Sequence, residues 1–158
     1  MGREIERKFL VISDHWDPSG LKGRSLRQGY IARGEGCTVR VRTSDDGAWL
    51  TLKGPTTGIS RSEFEYAIPL ADGVELLREF CQGSAVEKIR YDVVVDGARF
   101  EVDVFTGANA GLVVAEIELA DPDQAFPQPD WLGLEVSHDP RYRNSELARN
   151  PWQKWTES

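Results

Sequence analysis

Charged residues recur at every second position in several short stretches, and the first such stretch lies almost at the N-terminus. Glu4, Glu6 and Lys8 alternate there with Ile5, and alternate side chains of a β-strand share one face. Carboxylates beside an ammonium group are costly to bury without partners. The same groups are suited to holding a metal ion together with a polyanion.

The alternation continues with basic residues further along the chain. Arginine suits phosphate oxygens through its planar fork, and lysine suits them as a point charge. The basic residues on the expected polar faces are Lys8, Arg40, Arg42, Lys53, Lys88 and Arg90. We therefore predict that these side chains form a polyphosphate-binding surface.

A second pair of acids, Glu116 and Glu118, repeats the spacing of Glu4 and Glu6. Neighbouring glutamates on one face of a strand lie about 6.5 to 7 Å apart, so both can reach one octahedral ion directly or through its waters. Hard Mg2+ or Mn2+ prefers a few carboxylate oxygens together with water and phosphate oxygens. The pairs therefore predict a site for Mg2+ or Mn2+ that also holds a chain of phosphates.

The composition is that of an ordinary globular protein, and we expect one domain over residues 1–158. The net charge of −7 argues against general binding to nucleic acid or to anionic membranes. Cys37 and Cys81 are too few for a disulfide framework. No apolar run approaches the roughly 18 residues of a membrane span, and no secretory signal is apparent, so we expect cytoplasmic residence.

The elements that must position these residues are short strands separated by turns rich in glycine and aspartate. We expect strands near residues 4–9, 25–31, 37–43, 49–53, 61–66, 86–93, 99–104 and 112–120. An apparent capping box at Asp72 and Glu75 predicts an amphipathic helix over 72–82 that ends before Gly83. Its expected apolar stripe consists of Val74, Leu77, Phe80 and Cys81. The segment after Asp121 is expected to be irregular, apart from a helical turn at Asp121 and a short helix capped by Asn144.

The charges on the expected strands are sorted, with bases near residues 40, 53 and 90 and acids near 5, 64, 102 and 117. A predominantly β (α+β) fold explains this sorting: an eight-stranded, closed antiparallel β-barrel tunnel with a charged interior and a few flanking helices. So many ionisable groups in one lumen are strongly destabilising unless they pair, keep water or bind a highly charged ligand.

The stretch Glu4-Ile5-Glu6-Arg7-Lys8 matches the ExExK signature that opens the CYTH superfamily. The chain as a whole resembles the triphosphate tunnel metalloenzymes of that superfamily. The supporting motifs follow in the family's order: Arg40-Val41-Arg42, Thr51-Leu52-Lys53, residues 61–65, 87–90 and 101–104, Glu116-Ile117-Glu118, and the segment from Tyr142 to Asn144.

The resemblance implies a role for each charged position. Glu4, Glu6 and Glu118 would bind the metal, with Glu116 as a ligand of a second ion or a support of the first, and the six bases would hold phosphates. Glu63, Glu65, Glu101 and Asp103 would orient those bases or bind a second metal. Internal salt bridging is an equally good explanation for these last four acids.

The reaction implied is hydrolysis of a phosphoanhydride, in which cations neutralise the phosphoryl oxygens and fix the chain for attack by water. Glu4 or Glu6 would orient the water, and Lys8 would stabilise charge on the leaving group. Inorganic triphosphate, cleaved to pyrophosphate and phosphate, is our first choice of substrate. The alternatives are a class IV adenylyl cyclase, a thiamine or nucleoside triphosphatase, and a non-catalytic polyphosphate- or nucleotide-binding module. The oligomeric state stays open between monomer and homodimer.

Overall fold

The computed structural model describes residues 2–34, 36–81 and 85–155. These residues form nine strands. They are β1 (Gly2–Val11), β2 (Arg24–Arg33), β3 (Thr38–Thr43), β4 (Ala48–Lys53), β5 (Ser60–Ile68), β6 (Ala85–Val95), β7 (Ala98–Thr106), β8 (Val113–Glu118) and β9 (Leu132–Glu135). The helices are α1 (Leu70–Phe80), α2 (Asn144–Arg149) and α3 (Trp152–Trp155). Among the described residues, no helix is long and apolar enough to cross a membrane.

The sheet closes on itself through β1. Its order is β5-β4-β3-β2-β6-β7-β8-β1, and β1 also pairs with β5, so the predicted eight-stranded antiparallel barrel is confirmed. Residues 2–5 of β1 pair with β5, whereas residues 6–10 pair with β8 on the other edge of the strand. The antiparallel series β2–β5 and β6–β8 join through β2 and β6, and β1 closes the ring between β8 and β5.

A ninth strand, β9, pairs with β1 near Phe9 and Val11, beyond the point where β5 leaves β1. The expectation of irregular structure at this position was wrong. Gly133 explains why the approach is possible, since a Cβ there would lie 2.9 Å from the carbonyl oxygen of Leu10. A strand of four residues with a central glycine carries almost no alternation for a sequence pattern to detect.

Apolar side chains on the outer faces of β1, β7 and β8 pack beneath the segment that follows β8. Phe9, Phe100 and Ile117 belong to this cluster, and Trp131 covers it, with the Phe100 and Trp131 rings 5.2 Å apart in an edge-to-face arrangement. The apolar faces therefore point outward on this side of the barrel, as the charge pattern predicted.

The interior next to α2 is apolar rather than charged. Phe105 pairs with Lys88 and Val114 pairs with Asp103, so both occupy inward positions, and they pack with Leu147 of α2. We call this cluster the apolar plug; its buried members are Tyr30, Val86, Phe105, Leu112, Val114, Leu147 and Ala148. The expected charged interior is therefore confined to the remaining part of the barrel.

Helix α1 covers the outer face of β2, β3 and β4, but its position differs from the expectation. It begins at Leu70 after Pro69, so Asp72 lies in its first turn and is not the cap; residues 82 and 83 lie outside the described residues. Leu77 and Cys81 of the expected stripe are buried, whereas Val74 and Phe80 are exposed, and Gly73 lies on the contact face instead.

Candidate active site

The charged side chains inside the barrel line a cavity of about 100 Å³, which we call the tunnel cavity. The predicted residues on its lining come from β1, β3, β4, β6 and β8: Glu4, Glu6, Lys8, Arg40, Arg42, Lys53, Lys88, Arg90 and Glu116. The predicted residues that lie off this lining are Glu118, Glu63, Glu65, Glu101 and Asp103. Strand alternation and closure of the barrel together therefore bring every predicted base to one cavity.

The acidic wall of the cavity consists of Glu4, Glu6 and Glu116 on β1 and β8. Burial, followed by contact with the Glu63 carboxyl group, raises the pKa of Glu4 to about 7. Burial and the charges of Glu116 and Glu4 raise the pKa of Glu6 to about 8. These carboxylates repel one another because they share a confined space.

Lysines partly balance this wall. Lys8 Nζ lies 3.4 Å from Glu116 Oε1, and Lys53 Nζ lies 3.3 Å from Glu4 Oε1. Burial alone would raise the pKa of Glu116, but Lys8 and Arg90 outweigh it and lower this pKa to about 2. Glu116 is therefore a firmly ionised carboxylate beside Lys8.

Glu118 stands at the edge of the acidic wall. It pairs with Glu6 across β1 and β8 but is exposed, and burial followed by the charge of Glu4 raises its pKa. The described part of the chain contains no ready-made cluster of three His, Cys, Asp or Glu side chains in metal-binding geometry. Two of the acids instead face lysines, at 3.3 and 3.4 Å.

The donor set nevertheless fits a hard divalent cation. Glu4, Glu6 and Glu116 supply carboxylate oxygens only, which is the chemistry that Mg2+ and Mn2+ prefer. A cation between them would relieve the repulsion that raises the pKa values of Glu4 and Glu6. These residues could hold such an ion if Lys8 and Lys53 turned toward a phosphate ligand.

The basic wall of the cavity consists of Arg40, Arg42, Lys88 and Arg90, and Arg40 presents an unpartnered donor there. Its Nη2 donates to Thr51 Oγ1 at 3.2 Å and to Glu65 Oε2 at 3.4 Å. Its Nε is buried without a hydrogen-bond partner among the described residues. A buried N–H without an acceptor is costly, so this atom suits an oxygen supplied by a ligand.

Arg42 is held by a glutamine that the sequence reasoning missed. Arg42 Nε donates to Gln28 Oε1 at 2.9 Å, and Gln28 Nε2 donates to the hydroxyl oxygen of Tyr30 at 3.0 Å. Gln28 is fully buried, and Tyr30 lines the tunnel cavity. Burial, Arg40 and Arg90 lower the pKa of Arg42 to about 9, which still leaves it charged at neutral pH.

The most buried part of the wall is the network of Lys88, Arg90 and Asp103. Asp103 accepts two hydrogen bonds from Arg90, at 2.7 and 2.9 Å, and lies 2.8 Å from Lys88 Nζ. Burial alone would raise the pKa of Asp103, but Arg90 and Lys88 outweigh it and hold this pKa well below its ordinary value. Burial lowers the pKa of Lys88 to about 7. Asp103 thus fixes two of the predicted phosphate-binding bases from behind.

Three of the four supporting acids pair with bases. Besides Asp103, Glu65 accepts from Arg40 at 3.4 Å, and Glu101 lies 3.3 Å from Arg90. Glu63 instead contacts the carboxyl group of Glu4. Orientation of bases by salt bridges accounts for the positions of Glu65, Glu101 and Asp103.

The segment before α2 completes the wall. Lys8 Nζ donates to the carbonyl oxygen of Tyr142 at 3.1 Å, and Lys88 Nζ donates to Asn144 Oδ1 at 2.9 Å. The expected cap role of Asn144 was wrong, since Asn144 is the first residue of α2 and its side chain accepts from Lys88. The resemblance at Tyr142 to Asn144 was the only sequence signal that pointed to this segment.

The closed barrel and the separation of acidic from basic side chains inside it are features that this chain shares with known proteins. The CYTH domain model matches residues 2–147, so the chain belongs to the CYTH domain family. An inorganic triphosphatase of Acetivibrio thermocellus is 48% identical over 157 residues, which cover 99% of this chain and all of the relative. An inorganic triphosphatase of Nitrosomonas europaea is 41% identical over 150 residues, covering 92% and 96%.

A crystal structure of an inorganic triphosphatase shares the fold with a TM-score of 0.66 at 37% sequence identity. The match covers 91% of this chain and 96% of the other.

Proposed function

We propose that the chain is a single-domain, metal-dependent inorganic triphosphatase. The relatives at 48% and 41% identity carry this activity in their names and match nearly the whole chain. The reaction would convert triphosphate and water into pyrophosphate and phosphate. A water oxygen forms a bond to a terminal phosphorus while the anhydride P–O bond to the pyrophosphate leaving group breaks.

The observation that carries the proposal is the separation of charge within one cavity. Glu4, Glu6 and Glu116 crowd one wall, whereas Arg40, Arg42 and Arg90 crowd another. Burial followed by repulsion from Glu116 and Glu4 raises the pKa of Glu6, and burial followed by repulsion from Arg40 and Arg90 lowers the pKa of Arg42. The opposite charge would stabilise each wall. A triphosphate complexed with a divalent cation supplies both charges at once.

The proposed metal ligands are Glu4, Glu6 and Glu118, with Glu116 supporting them or binding a second ion. When bound, Mg2+ or Mn2+ would neutralise phosphoryl oxygens and draw electron density from the reacting phosphorus. The phosphate-binding residues would be Lys8, Arg40, Arg42, Lys53, Lys88 and Arg90. Lys88 Nζ already contacts Asp103 and Asn144, so one of its three donors would be left for the substrate.

Residues of β1 would take part in the chemical step. Glu4 or Glu6 would orient the attacking water, because both carboxylates border the cavity. Lys8 would stabilise the charge that develops on the departing pyrophosphate. Its neighbours Glu116 and Glu6 outweigh the effect of burial and raise the pKa of Lys8, so it is available as a cation.

An organic triphosphate is the second choice of substrate, for either an adenylyl cyclase or a thiamine or nucleoside triphosphatase. Tyr30 is the only aromatic residue among the described lining residues of the tunnel cavity, and it packs into the apolar plug. Trp16 instead packs edge to face against Tyr91, with ring centroids 5.5 Å apart. The paired acids disfavour a non-catalytic binding module, which would not need them.

A phosphate-release assay tests the proposal. Triphosphate, ATP and thiamine triphosphate would each be supplied with Mg2+, with Mn2+ or with a chelator. We expect metal-dependent release of phosphate, fastest from triphosphate. Cyclic AMP formed from ATP would establish the cyclase, and tight binding without turnover in either metal would establish the binding module.

A further inference from the structure

A second cavity, of about 290 Å³, opens where β3, β4 and β5 meet at one rim of the barrel. We call it the outer cavity. It adjoins the tunnel cavity, because Thr38, Thr56, Arg61 and Arg143 line both. A ligand that fills the tunnel cavity can therefore extend directly into this space.

Two arginines give the outer cavity its charge. Arg61 Nε donates to the carbonyl oxygen of Gly54 at 3.0 Å, which fixes the side chain while using only one of its five donors. In the described part of the chain, neither Arg61 nor Arg143 forms an ion pair, unlike Arg40 and Arg90. Burial lowers the pKa of Arg61; the charge of Glu4 opposes this effect, and the neighbouring Arg143 adds to it.

The other residues that line the outer cavity indicate which kind of anion it could bind. Thr38 and Thr56 bear hydroxyl groups, and the other lining residues are Gly34, Gly54 and Pro55. None of the residues described on this lining is aromatic, so no ring is available to stack on a nucleobase or a thiazole. Such a surface matches a small, hydrophilic anion.

We propose that Arg61 and Arg143 form an outer subsite that takes the fourth phosphoryl group of a linear polyphosphate whose first three occupy the tunnel cavity. This inference rests on the proposed function, because it places the triphosphate unit in the tunnel cavity. The subsite gives longer inorganic chains a contact that an organic triphosphate lacks. Charge-assisted hydrogen bonds from paired arginines are the strong form of phosphate contact.

The test compares linear tetraphosphate with triphosphate as substrates of the wild-type chain and of the Arg61→Gln, Arg143→Gln double variant. We expect the kcat/KM ratio of tetraphosphate to triphosphate to fall by about tenfold or more in the variant, since phosphate contacts of this kind contribute at that level. The matched control is Arg141→Gln, which removes the same charge from an exposed arginine paired with Asp139. The control should leave the ratio as in the wild type.

The single variant Arg143→Gln keeps the test informative if the double variant folds poorly, because Arg143 is exposed. Arg61→Lys should retain part of the preference for tetraphosphate. An equal effect of the substitutions on both substrates would overturn the outer subsite while leaving the triphosphatase intact. Absence of triphosphate turnover in the wild type would instead overturn the proposed function.

Discussion

Two uncharged residues hold charged side chains of the tunnel cavity in position. Gln28 joins Arg42 to Tyr30 through both ends of its amide, and Thr51 joins Arg40 to Glu65. The charged members of the wall could be predicted because strand alternation places every second residue on one face. Gln28 and Thr51 follow the same alternation but carry no charge, so the pattern that revealed Arg40 and Arg42 did not single them out.

Replacing Gln28 should weaken triphosphate binding. Gln28→Leu keeps a similar volume but removes the acceptor of Arg42 and the donor to Tyr30, so both side chains lose their orientation. We expect KM for triphosphate to rise about tenfold, with a smaller change in kcat, in steady-state measurements.

Gln28→Glu separates orientation from charge. Unlike Gln28→Leu, this variant keeps an oxygen that can accept from Arg42, but it adds a negative charge to the phosphate site. KM should therefore rise further than in Gln28→Leu. The exposed Gln128→Leu serves as the control. Unchanged KM in both Gln28 variants would show that Arg42 is oriented without Gln28.

Asp103 should govern the stability of the fold in acid. Its folded pKa lies well below the ordinary value of 3.8, because Arg90 and Lys88 outweigh the effect of burial. The unfolded chain therefore binds this proton more readily, and the ion pairs stabilise the fold above about pH 4. That stabilisation is lost as the pH falls from about 4 through the folded pKa.

Asp103→Asn should lower the free energy of unfolding at pH 7 by about 3–5 kcal/mol, because it leaves Lys88 and Arg90 buried without their carboxylate. Between about pH 5 and pH 3, the free energy of unfolding should also fall less for Asp103→Asn than for the wild type, as measured by urea titration at each pH. Asp92→Asn is the control, since Asp92 is exposed and its pairs with Arg24 and Arg99 contribute about 0–1 kcal/mol. Parallel pH profiles for the wild type and Asp103→Asn would contradict the role of Asp103.

Among the secondary-structure elements, the barrel strands lie where the alternation of polar and apolar residues predicts them. The contact face of α1 and the strand β9, which depend on close backbone approach, were not fully predicted. Helix α1 lies on the barrel through Gly73, where a Cβ would be 2.5 Å from the Cβ of Ala48. Helical periodicity predicted a contact stripe of Val74, Leu77, Phe80 and Cys81, of which Leu77 and Cys81 are buried and Val74 and Phe80 are exposed. The contact through Gly73 was missed because a glycine gives no hydrophobic signal. The same reason hid β9, whose approach to β1 depends on Gly133.

Gly73→Ala tests this close approach. Alanine favours a helix over glycine by up to about 1 kcal/mol, but a Cβ against Ala48 forces the helix away from β4 at a cost of about 1–3 kcal/mol. We expect a net loss of roughly 1–2 kcal/mol in the free energy of unfolding, measured by urea titration. Val74→Ala, on the exposed face, should change stability by less than about 0.5 kcal/mol. A stabilised Gly73→Ala variant would mean that α1 shifts without cost.

For the whole molecule, the separation of acids from bases predicted a closed barrel, since only closure brings β3, β6 and β8 to one lumen. The extent of the lumen could not be predicted in the same way. Val86, Phe105 and Val114 alternate like any half-buried strand residues, and only the docking of Leu147 from a distant helix turns them into the apolar plug. The plug confines the charged cavity to the other part of the barrel and brings Tyr142 and Asn144 to Lys8 and Lys88.

Repulsion among the carboxylates destabilises the ligand-free barrel, and a bound cation should relieve it. Glu6→Gln separates this repulsion from the stabilisation that ligand binding provides. Glu6 lies between Glu4 and Glu116, whose charges, together with burial, raise its pKa to about 8. A neutral side chain there removes about 1 kcal/mol of repulsion, so the metal-free protein should melt roughly 2–4 °C higher above pH 8. Stability that rises on loss of a carboxylate is expected of a ligand site rather than of a structural ion pair.

Binding should respond in the opposite direction. A metal–triphosphate complex at about 100 times its Kd stabilises the wild type by roughly 2.7 kcal/mol, or about 5–10 °C in the melting temperature. Thermal melts with Mn2+ and a non-hydrolysable triphosphate analogue, with a chelator as reference, should show this shift in the wild type and a much smaller one in Glu6→Gln. The control Glu79→Gln, at an exposed position of α1, should keep the full shift. An apo protein destabilised by Glu6→Gln, with the ligand response intact, would place Glu6 in a structural role and leave the metal to the other carboxylates of β1 and β8.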